Sequence, residues 1–562
     1  MKKIFIENIL FRPGFALVLL IGAVCTTAED CTNAAEWQWS IEVKGGIEKT
    51  GPARAFLWIP PDCERLRGVV LAQHNMEEIS ILENPIFRRT MSELKFAQIW
   101  CAPAFDHLFR FNQGAGETFN GMMEDLAAES GYRELTFVPV VGIGHSAAAS
   151  WPYYFAAWNP KRTLAAISVS GQWPYFRDNG TFAPDIWGDR TIDFVPCLET
   201  TGEYESAATW SAEGLKERRE HPLMPLSMLA CPAEGHFAAS NKKIEYLALY
   251  IKKAVQYRMP EEIPADGPPK LKPIDPTKTG WLADKWRLNQ APTAPAAPVG
   301  SYTGDPAQAF WFFDEETAKA TEAYQAEYRG MKAQLLGYVR DGNVVPQKNT
   351  HQQVNLKFLP LADGLTFRLT TAFLDTVPGG SPRPASWTGL AAGSPIGHAA
   401  GGEAISIDRI CGPFEKLSPD TFAVRFDKTG TGDGSRPIQL WFAATHPGDE
   451  TYKPAVQQAQ MLIPARNTEG WDQQITFPEI PDQKLGTKSV TLNASSDSGE
   501  KVYYYVLDGP AQIEGDTLKL TAIPLRSKFP VKVTVAAWQY GRSTEPLLKT
   551  AEPVERTFFI TK

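Results

Sequence analysis

The sequence predicts an α/β protein, a mostly parallel β-sheet with helices on both faces, followed by all-β modules. From residue 37 to about 257, short apolar runs alternate with stretches whose apolar residues recur at helical spacing. From about residue 350 onward, short alternating runs are separated by Gly, Pro, Ser and Asp clusters, which is typical of β-sandwiches. The 44 glycines, 44 prolines and 30 phenylalanines favour a turn-rich chain with many strands over an all-helical one.

Six apolar runs in the first half predict the parallel strands. Each run is largely apolar, as expected for strands that are covered by helices on both faces. The runs are GVVLAQ (68–73), AQIWCAPA (97–104), VPVVGIG (138–144), LAAISVSG (164–171), FVPCLETTG (194–202) and MPLSMLACP (224–232). Before them, WQWSIEV and RAFLWIP predict an antiparallel hairpin. The intervening helices are predicted in GETFNGMMEDLAAES, AAASWPYYFAAW and NKKIEYLALYIKKAVQYR.

The N-terminus has the order of a secretory signal peptide. Two lysines precede the apolar run 15–24, and small residues follow up to Ala28. We expect cleavage after Ala28 and a secreted or periplasmic protein; lipid attachment at Cys25 is the alternative, and Val24 before it disfavours that reading. After residue 28 no run of about 18 apolar residues remains, so we expect no membrane span.

Composition shifts divide the rest of the chain into four parts. We expect a first domain over 29–259, a proline-rich arm and helix over 260–345, a β-sandwich over 346–470 and a final module over 471–562. Nine prolines between residues 260 and 298 exclude a regular helix or central strand there, although Trp281 and Trp286 indicate that the arm packs on something. After the arm, Asp314 is predicted to cap a helix that runs to about Tyr338.

The final module carries a resemblance of its own. ITFPEIPDQKLGTKSVTLNASS (475–496) is followed by YYYVLDGPAQIEGDTLKLTAI and VKVTVAAWQY. These segments resemble bacterial Ig-like modules that open with ITFP and a proline–aspartate turn. The resemblance covers about the last 88 residues and implies an Ig-like fold, but a fold of this kind does not indicate a role.

Charge and cysteine usage exclude several function classes. The net charge of −8 leaves no basic surface to neutralise phosphates, so a nucleic-acid partner is not expected. No CxxC motif occurs, and we expect no metal site; the aspartates of DKTGTGDGSRP (427–437) lack calcium-ligand spacing and read as a hairpin turn. Cys101, Cys197 and Cys231 fall in apolar strand-like runs and are expected to be buried free thiols.

One segment has the context of a catalytic nucleophile. GHSAA (144–148) follows the apolar run VPVVGI and opens a predicted helix, which is the strand, tight turn and helix of a nucleophile elbow. Small residues are needed around Ser146 because the turn is tight; Ala148 stands where a glycine is usual. The alternative is an ordinary turn serine, which the flanking strand and helix disfavour.

A serine hydroxyl becomes a good nucleophile only when a histidine takes its proton and a carboxylate holds that histidine. His236 follows the last predicted strand, and the strand before it ends in Gly202-Glu203-Tyr204-Glu205. The chain order is therefore serine, acid, histidine, as in the α/β-hydrolases. Either glutamate satisfies this order.

With GHSAA, TGEYE and EGH at the ends of successive strands, residues 37–257 resemble an α/β-hydrolase of the esterase type. The resemblance implies that the acid lies three residues after the glycine, which selects Glu205 and leaves Glu203 as the alternative. It also implies two oxyanion donors, the backbone N–H of Ala147 and an N–H from the loop GVVLAQHNMEE, where we expect Met76. In that loop Asn75 stands where a glycine is usual.

An aromatic-rich segment, QWPYFRDNGTFAPDIWGDR, lies between the fourth parallel strand and the acid. Loops at the carboxyl ends of strands bind substrates in open α/β sheets, so we expect Trp173 and Tyr175 to contact substrate. Such side chains stack on sugar rings as readily as they pack on one another, and packing within the loop is the alternative.

Together these features predict an exported serine hydrolase that cleaves carboxylic esters and requires no metal or organic cofactor. The appended β-modules suggest acylated polysaccharide as the substrate. An exported peptidase or polyester depolymerase with the same triad is one alternative, and an inactive surface-binding protein is another. Because every proposed chemical role lies before residue 237, we also expect a chain ending near 260 or 345 to keep its activity on a small ester.

Overall fold

The computed structural model describes residues 35–47, 52–176, 186–205, 207–348, 353–401, 403–429 and 436–562. The predicted signal peptide, with its cleavage position after Ala28, lies outside these ranges, as does most of the predicted 427–437 hairpin turn. In the described part of the chain no helix is long and apolar enough to span a membrane.

Among the described residues, the first sheet has eight strands in the order β1-β2-β4-β3-β5-β6-β7-β8. Strands β1 and β2 pair antiparallel, β2 pairs antiparallel with β4, and β3 to β8 are parallel. This is the order of the α/β-hydrolase fold, which confirms the predicted fold class, and each predicted apolar run contains one strand. The bounds are β1 Trp39–Glu42, β2 Arg54–Trp58, β3 Gly68–Gln73, β4 Phe96–Cys101, β5 Val140–His145, β6 Thr163–Val169, β7 Cys197–Gly202 and β8 Leu226–Cys231.

Helices cover both faces of this sheet because alternate residues of each strand point to opposite faces. In β3, Val69 and Leu71 belong to the core that also contains residues of α3 and α4, whereas Val70 and Ala72 belong to the core formed with α2 and α6. The helices of this region are α1 Glu78–Leu82, α2 Pro85–Leu94, α3 Ala115–Ser130, α4 Trp151–Trp158, α5 Ala207–Glu220 and α6 Asn241–Arg258.

The proline-rich arm contributes residues to both buried cores, one on each face of the first sheet. It contributes a three-stranded sheet in the order β10-β9-β11, formed by β9 Trp281–Asp284, β10 Ala297–Pro298 and β11 Ala309–Phe312. Phe310 packs in one core and Trp311 in the other, and Ser227 of β8 donates a 2.5 Å hydrogen bond to Trp311 O. The structure therefore does not separate residues 260–326 from the first domain as the boundary near 260 predicts.

The helix after the arm begins where predicted but ends earlier. Asp314 caps α7 Glu315–Ala326 with a capping box in which its side chain accepts the Thr317 N–H. The predicted extension to about Tyr338 is wrong. The helix ends because Glu327 is already extended, with φ −61° and ψ 149°, and Tyr328 and Gly330 then adopt positive φ values of 56° and 78°.

The C-terminal half is all-β, as predicted. Two of its buried clusters are the main cores, one dominated by residues 336–463 and one by residues 477–560. Trp538 and Tyr540 of the last module belong to the first of these cores, so the two modules share packing. The Ig-like type of the last module stays a prediction. The bounds of this half are β12 Leu336–Arg340, β13 Asn343–Val344, β14 Gln353–Lys357, β15 Thr366–Arg368, β16 Thr370–Phe373, α8 Arg383–Thr388, β17 Ser406–Cys411, β18 Phe414–Lys416, β19 Thr421–Val424, β20 Ile438–His446, β21 Ala455–Ile463, β22 Ile475–Thr476, β23 Gln483–Lys484, β24 Ser489–Thr491, β25 Ser495–Ser496, β26 Tyr503–Asp508, β27 Ala511–Glu514, β28 Thr517–Leu520, β29 Val531–Trp538 and β30 Val554–Thr561.

The first of these cores begins before residue 346, the predicted start of the sandwich, because Leu336 and Tyr338 of β12 already belong to it. The last module also contacts the hydrolase region directly. Arg526 Nη1 lies 2.6 Å from Glu134 Oε1, at the end of the sheet opposite Ser146. The five cysteines in the described part are buried free thiols: Cys63, Cys101, Cys197, Cys231 and Cys411. This agrees with the prediction for Cys101, Cys197 and Cys231.

Candidate active site

Ser146 lies in a strained turn between β5 and α4. Its φ is +53°, in the left-handed region that residues other than glycine seldom adopt. Gly144 makes this turn possible, because a Cβ at that position would overlap the backbone of Ala148. The chain thus has the strand, sharp turn and helix of a nucleophile elbow, and Ser146 is held at the carboxyl end of the sheet.

The structure brings the three predicted catalytic side chains together. His236 Nε2 lies 2.9 Å from Ser146 Oγ, and His236 Nδ1 is hydrogen-bonded to Glu205 Oε1. These residues follow β5, β8 and β7, whose parallel arrangement places their carboxyl ends at one edge of the sheet. His236 is only 3% exposed, so the hydrogen-bonded chain is shielded from water. A hydroxyl, imidazole and carboxylate in this arrangement can carry out nucleophilic catalysis.

The electrostatics of Glu205 suit a partner for a protonated imidazole. Burial by itself would raise the pKa of this carboxyl. The charge on His236 and its hydrogen bond act in the opposite direction, and the net result is a pKa below the usual value. Glu205 is therefore ionised at neutral pH and can stabilise positive charge on His236.

The alternative acid, Glu203, has other partners. Its Oε1 forms an ion pair with Lys453 Nζ, and its Oε2 accepts the Ala233 N–H at 2.9 Å. Both charged side chains are nearly buried, at 8% and 6% exposed. The resemblance selects Glu205 over Glu203, and the structure likewise brings Glu205 to His236.

The two predicted oxyanion donors differ in the structure. Ala147 is exposed beside Ser146 and lines the same cavity. The Met76 N–H instead donates to Glu78 Oε2 at 2.7 Å, so as the site stands it is not available to a substrate oxygen. Glu78 also accepts the N–H groups of Asn75 at 3.0 Å and His145 at 2.8 Å, which ties this loop to the nucleophile elbow.

Glu78 is a buried carboxyl with a raised pKa. Burial raises its pKa to about 7, although the three backbone hydrogen bonds favour the charged form. Sequence reasoning missed this residue because the pattern GVVLAQHNMEE marks the loop but not which of its side chains turns back to accept hydrogen bonds. The carboxyl explains why Met76 does not face the cavity as predicted.

Ser146 opens into a cavity of about 370 Å³. Its lining is mostly small or polar, with one aromatic residue: Ser146, Ala147, Ser150, Ser170, Gly171, Gln172, Thr201, Glu205, Trp210 and His236. Trp210 was missed by sequence reasoning, and its position five residues after Glu205, early in α5, is the signal that could have identified it. A cavity of this size suits a small acyl group or one sugar ring.

The predicted substrate-binding aromatics do not line this cavity. Trp173 is fully buried, stacks on Phe310 with ring centroids 5.7 Å apart, and donates its Nε1–H to Trp210 O at 3.0 Å. Tyr175 stacks on His221, and its hydroxyl accepts the Ile192 N–H at 3.3 Å. The structure therefore does not bring either residue to the cavity that Ser146 lines, and their contact with substrate stays a prediction. Packing inside the protein offers a large aromatic ring more apolar contact than an open loop does.

A second histidine supports the first. His145 Nε2 donates to the backbone carbonyl of His236 at 3.0 Å, and Asn75 Nδ2 donates to His145 O at 3.1 Å. His145 is fully buried and holds the backbone of His236 rather than reaching Ser146 Oγ. Among the residues that the structure describes, no group of three or more His, Cys, Asp or Glu side chains is arranged to hold a metal ion.

The fold and this geometry together define a protein with the α/β-hydrolase fold and a serine at its nucleophile elbow. No protein-family model and no curated protein matches the sequence. Among solved structures, the chain is similar to dienelactone hydrolase from Anabaena variabilis, with 14% identity, 40% of this chain and 98% of that chain covered, and a TM-score of 0.28.

Two further solved structures show the same degree of likeness. Est1E from Butyrivibrio proteoclasticus has 14% identity, with 39% of this chain and 98% of that chain covered and a TM-score of 0.26. The LpqC poly(3-hydroxybutyrate) depolymerase from Bordetella parapertussis has 12% identity, with 42% and 94% covered and a TM-score of 0.29. Similarities at this level do not bear on the substrate.

Proposed function

We propose that this protein is an exported serine hydrolase that cleaves carboxylic esters. One observation carries the proposal: Ser146 has the strained backbone of a nucleophile elbow, and its Oγ is 2.9 Å from His236 Nε2, whose other nitrogen is bonded to Glu205. A turn serine without a catalytic role is not expected to have its hydroxyl aligned with a buried imidazole and carboxylate. The signal-peptide pattern that the sequence predicts for residues 1–28 supports the proposed export.

In the proposed reaction, Ser146 Oγ attacks the ester carbonyl while His236 Nε2 takes the hydroxyl proton. The Ala147 N–H donates to the oxyanion that forms. The tetrahedral intermediate collapses as His236 returns the proton to the leaving alcohol, and water then hydrolyses the acyl-enzyme by the same steps. Glu205 stabilises the imidazolium formed in each half. Met76 N–H can contribute a second donor only after its hydrogen bond to Glu78 breaks.

The proposed substrate class is acylated polysaccharide. Serine, threonine and glutamine side chains in the cavity can hydrogen-bond sugar hydroxyls, and Trp210 offers an aromatic surface at the same place. The β-modules are of a kind that can hold an exported enzyme near a polymer, which is an argument from architecture.

The test is turnover of p-nitrophenyl acetate by the wild-type protein and by Ser146→Ala. Removing the nucleophile should lower kcat by roughly 10⁴- to 10⁶-fold without unfolding the protein. Ser130→Ala is the matched control, because this buried serine bonds local backbone groups, donating to Leu126 O at 2.7 Å and accepting the Tyr132 N–H at 3.2 Å. An organophosphonate ester should label Ser146. Retained turnover in Ser146→Ala would reject the assignment.

Acetylated glycans, feruloylated glycans, a polyester and a peptide panel then separate the possible acyl substrates. Preference for the acylated glycans supports the proposed substrate class, whereas preference for the peptides or the polyester replaces it. A wild-type protein that neither turns over any substrate nor reacts with the phosphonate would be a surface-binding protein without activity.

A further inference from the structure

We infer that the β-sandwich is a working part of the active site, and that Lys453 is a positioning residue that acts through Glu203. We define the acid loop as residues 203–205 and the histidine loop as residues 233–237. The inference rests on the proposed function, because it concerns how Glu205 and His236 are held. It adds a role for a region that lies about 100 residues or more beyond the last catalytic residue.

The acid loop is held by three sandwich residues. Lys453 Nζ forms the buried ion pair with Glu203. The Tyr204 hydroxyl donates to Pro454 O at 3.1 Å, and Trp387 Nε1–H donates to Tyr204 O at 3.0 Å. Both Glu203 and Tyr204 are thus fixed from the sandwich side, and Glu205 is the next residue in the chain.

The histidine loop is held from the same side. The Phe237 ring, next to His236, packs on Trp441 with centroids 4.7 Å apart. Gln458 lies so close to Gly235 that a Cβ at this position would overlap its amide. The sandwich side chains therefore contact the loop immediately before and after the catalytic histidine.

Glu203 joins the two loops. One carboxylate oxygen pairs with Lys453 and the other accepts the Ala233 N–H at 2.9 Å, so a single side chain links the sandwich, the acid loop and the histidine loop. The Tyr204 N–H adds a direct bond to Glu234 O at 3.0 Å. The relative position of Glu205 and His236 depends on this linkage.

A buried ion pair of this kind is weak evidence for stability, because desolvation offsets much of the attraction between the charges. Its loss is costly when one partner stays behind, since the remaining charge is buried and moves toward water. If Glu203 moves, the acid and histidine loops move with it. A displacement of about 1 Å in a catalytic group lowers turnover on the order of 10²-fold.

The experiment compares full-length variants on p-nitrophenyl acetate. Lys453→Met removes the charge and keeps the length of the side chain, and should lower kcat about 10- to 100-fold with little change in KM. Lys453→Arg keeps the charge and should recover much of the loss. The rate at which an organophosphonate labels Ser146 should fall and recover in parallel.

The matched control is Arg526→Met. Arg526 also pairs across modules with a nearly buried glutamate, Glu134, but at the opposite end of the sheet from Ser146. We expect this variant to lose stability without losing kcat. If Lys453→Met unfolds, Trp387→Phe replaces it, because that change deletes one hydrogen bond to Tyr204 and keeps an aromatic ring; it should lower kcat to a smaller extent.

The outcomes separate the two proposals. A folded Lys453→Met with wild-type kcat and labelling rate overturns the positioning role, and so does an equal loss in Lys453→Met and Arg526→Met. If Lys453→Met unfolds, wild-type kcat in folded Trp387→Phe overturns the role. If the wild-type protein neither turns over the ester nor reacts with the phosphonate, the proposed function itself is wrong.

Discussion

Ending the chain after Met259 should prevent folding, contrary to the expectation that the first domain is complete by that residue. The truncation removes β9 to β11 and α7. Four of the lost large apolar side chains are at most 2% exposed and belong to the two cores on the faces of the first sheet: Leu282, Phe310, Trp311 and Phe312. At about 2 kcal/mol for each buried apolar side chain, their loss removes about 8 kcal/mol. That is comparable to the whole net stability of a typical domain, about 5–15 kcal/mol.

The assay is thermal unfolding, followed by circular dichroism, of chains that start at residue 29 and end at 259 or at 329. The longer chain keeps both cores and should unfold cooperatively. The shorter chain should be insoluble or lack a cooperative transition, because Trp173 loses the ring of Phe310 on which it stacks. A soluble, monomeric and cooperatively unfolding chain ending at 259 would refute the reasoning. The folded longer chain should turn over p-nitrophenyl acetate slowly, because it lacks Lys453, and the shorter chain should show no turnover.

Three substitutions test the buried carboxyls. Glu205→Gln should lower kcat about 10⁴-fold, because the amide cannot stabilise the His236 imidazolium, whereas Glu203→Gln should cost no more than about 10²-fold; equal effects on p-nitrophenyl acetate turnover would place the acid elsewhere. Burial raises the pKa of Glu77 from 4.5 to about 8, so the folded state holds this proton more tightly and stability falls as pH rises from about 4.5 to 8. Glu77→Gln removes this pH dependence. Its free energy of unfolding in urea, relative to that of the wild-type protein, should therefore rise by a few kcal/mol between pH 4.5 and 8, whereas that of the exposed control Glu64→Gln should not. A difference from wild type that stays constant with pH would contradict this prediction.

The elements that the sequence predicts well are those with local causes. The six parallel strands are buried and largely apolar because helices cover both faces, so runs such as 68–73 coincide with β3. The nucleophile elbow can be predicted because Gly144 and Ser146 lie two residues apart in a turn between a strand and a helix. The end of α7 was harder to predict, since the residue types of Glu327 and Tyr328 do not indicate the extended and left-handed backbone that they adopt.

The differences between prediction and structure concern contacts between residues far apart in the chain. Trp173 was expected at the substrate, but Phe310, 137 positions later, offers it a buried stacking partner. The amide of Met76 was expected to face the cavity, but Glu78 turns back and accepts its hydrogen. The proline-rich arm was expected to be separable because prolines interrupt its pattern, although its short strands still bury aromatic rings. Sequence spacing does not reveal which distant surface a ring or amide meets.

The comparison of Glu203 with Glu205 shows why the segment that contains the catalytic residues need not be the whole part of the chain that activity requires. Both glutamates follow β7, and the family resemblance favours one of them only by its distance from Gly202. In the structure, Lys453, 250 positions after Glu203, forms an ion pair with the Glu203 carboxylate, and Glu205 is hydrogen-bonded to His236. A residue of the β-sandwich thus holds the side chain that would otherwise be a second candidate acid. Every proposed catalytic residue lies before residue 237, yet the arrangement of these residues depends on residues 387–458. Full activity should therefore require the β-sandwich as well as the first domain.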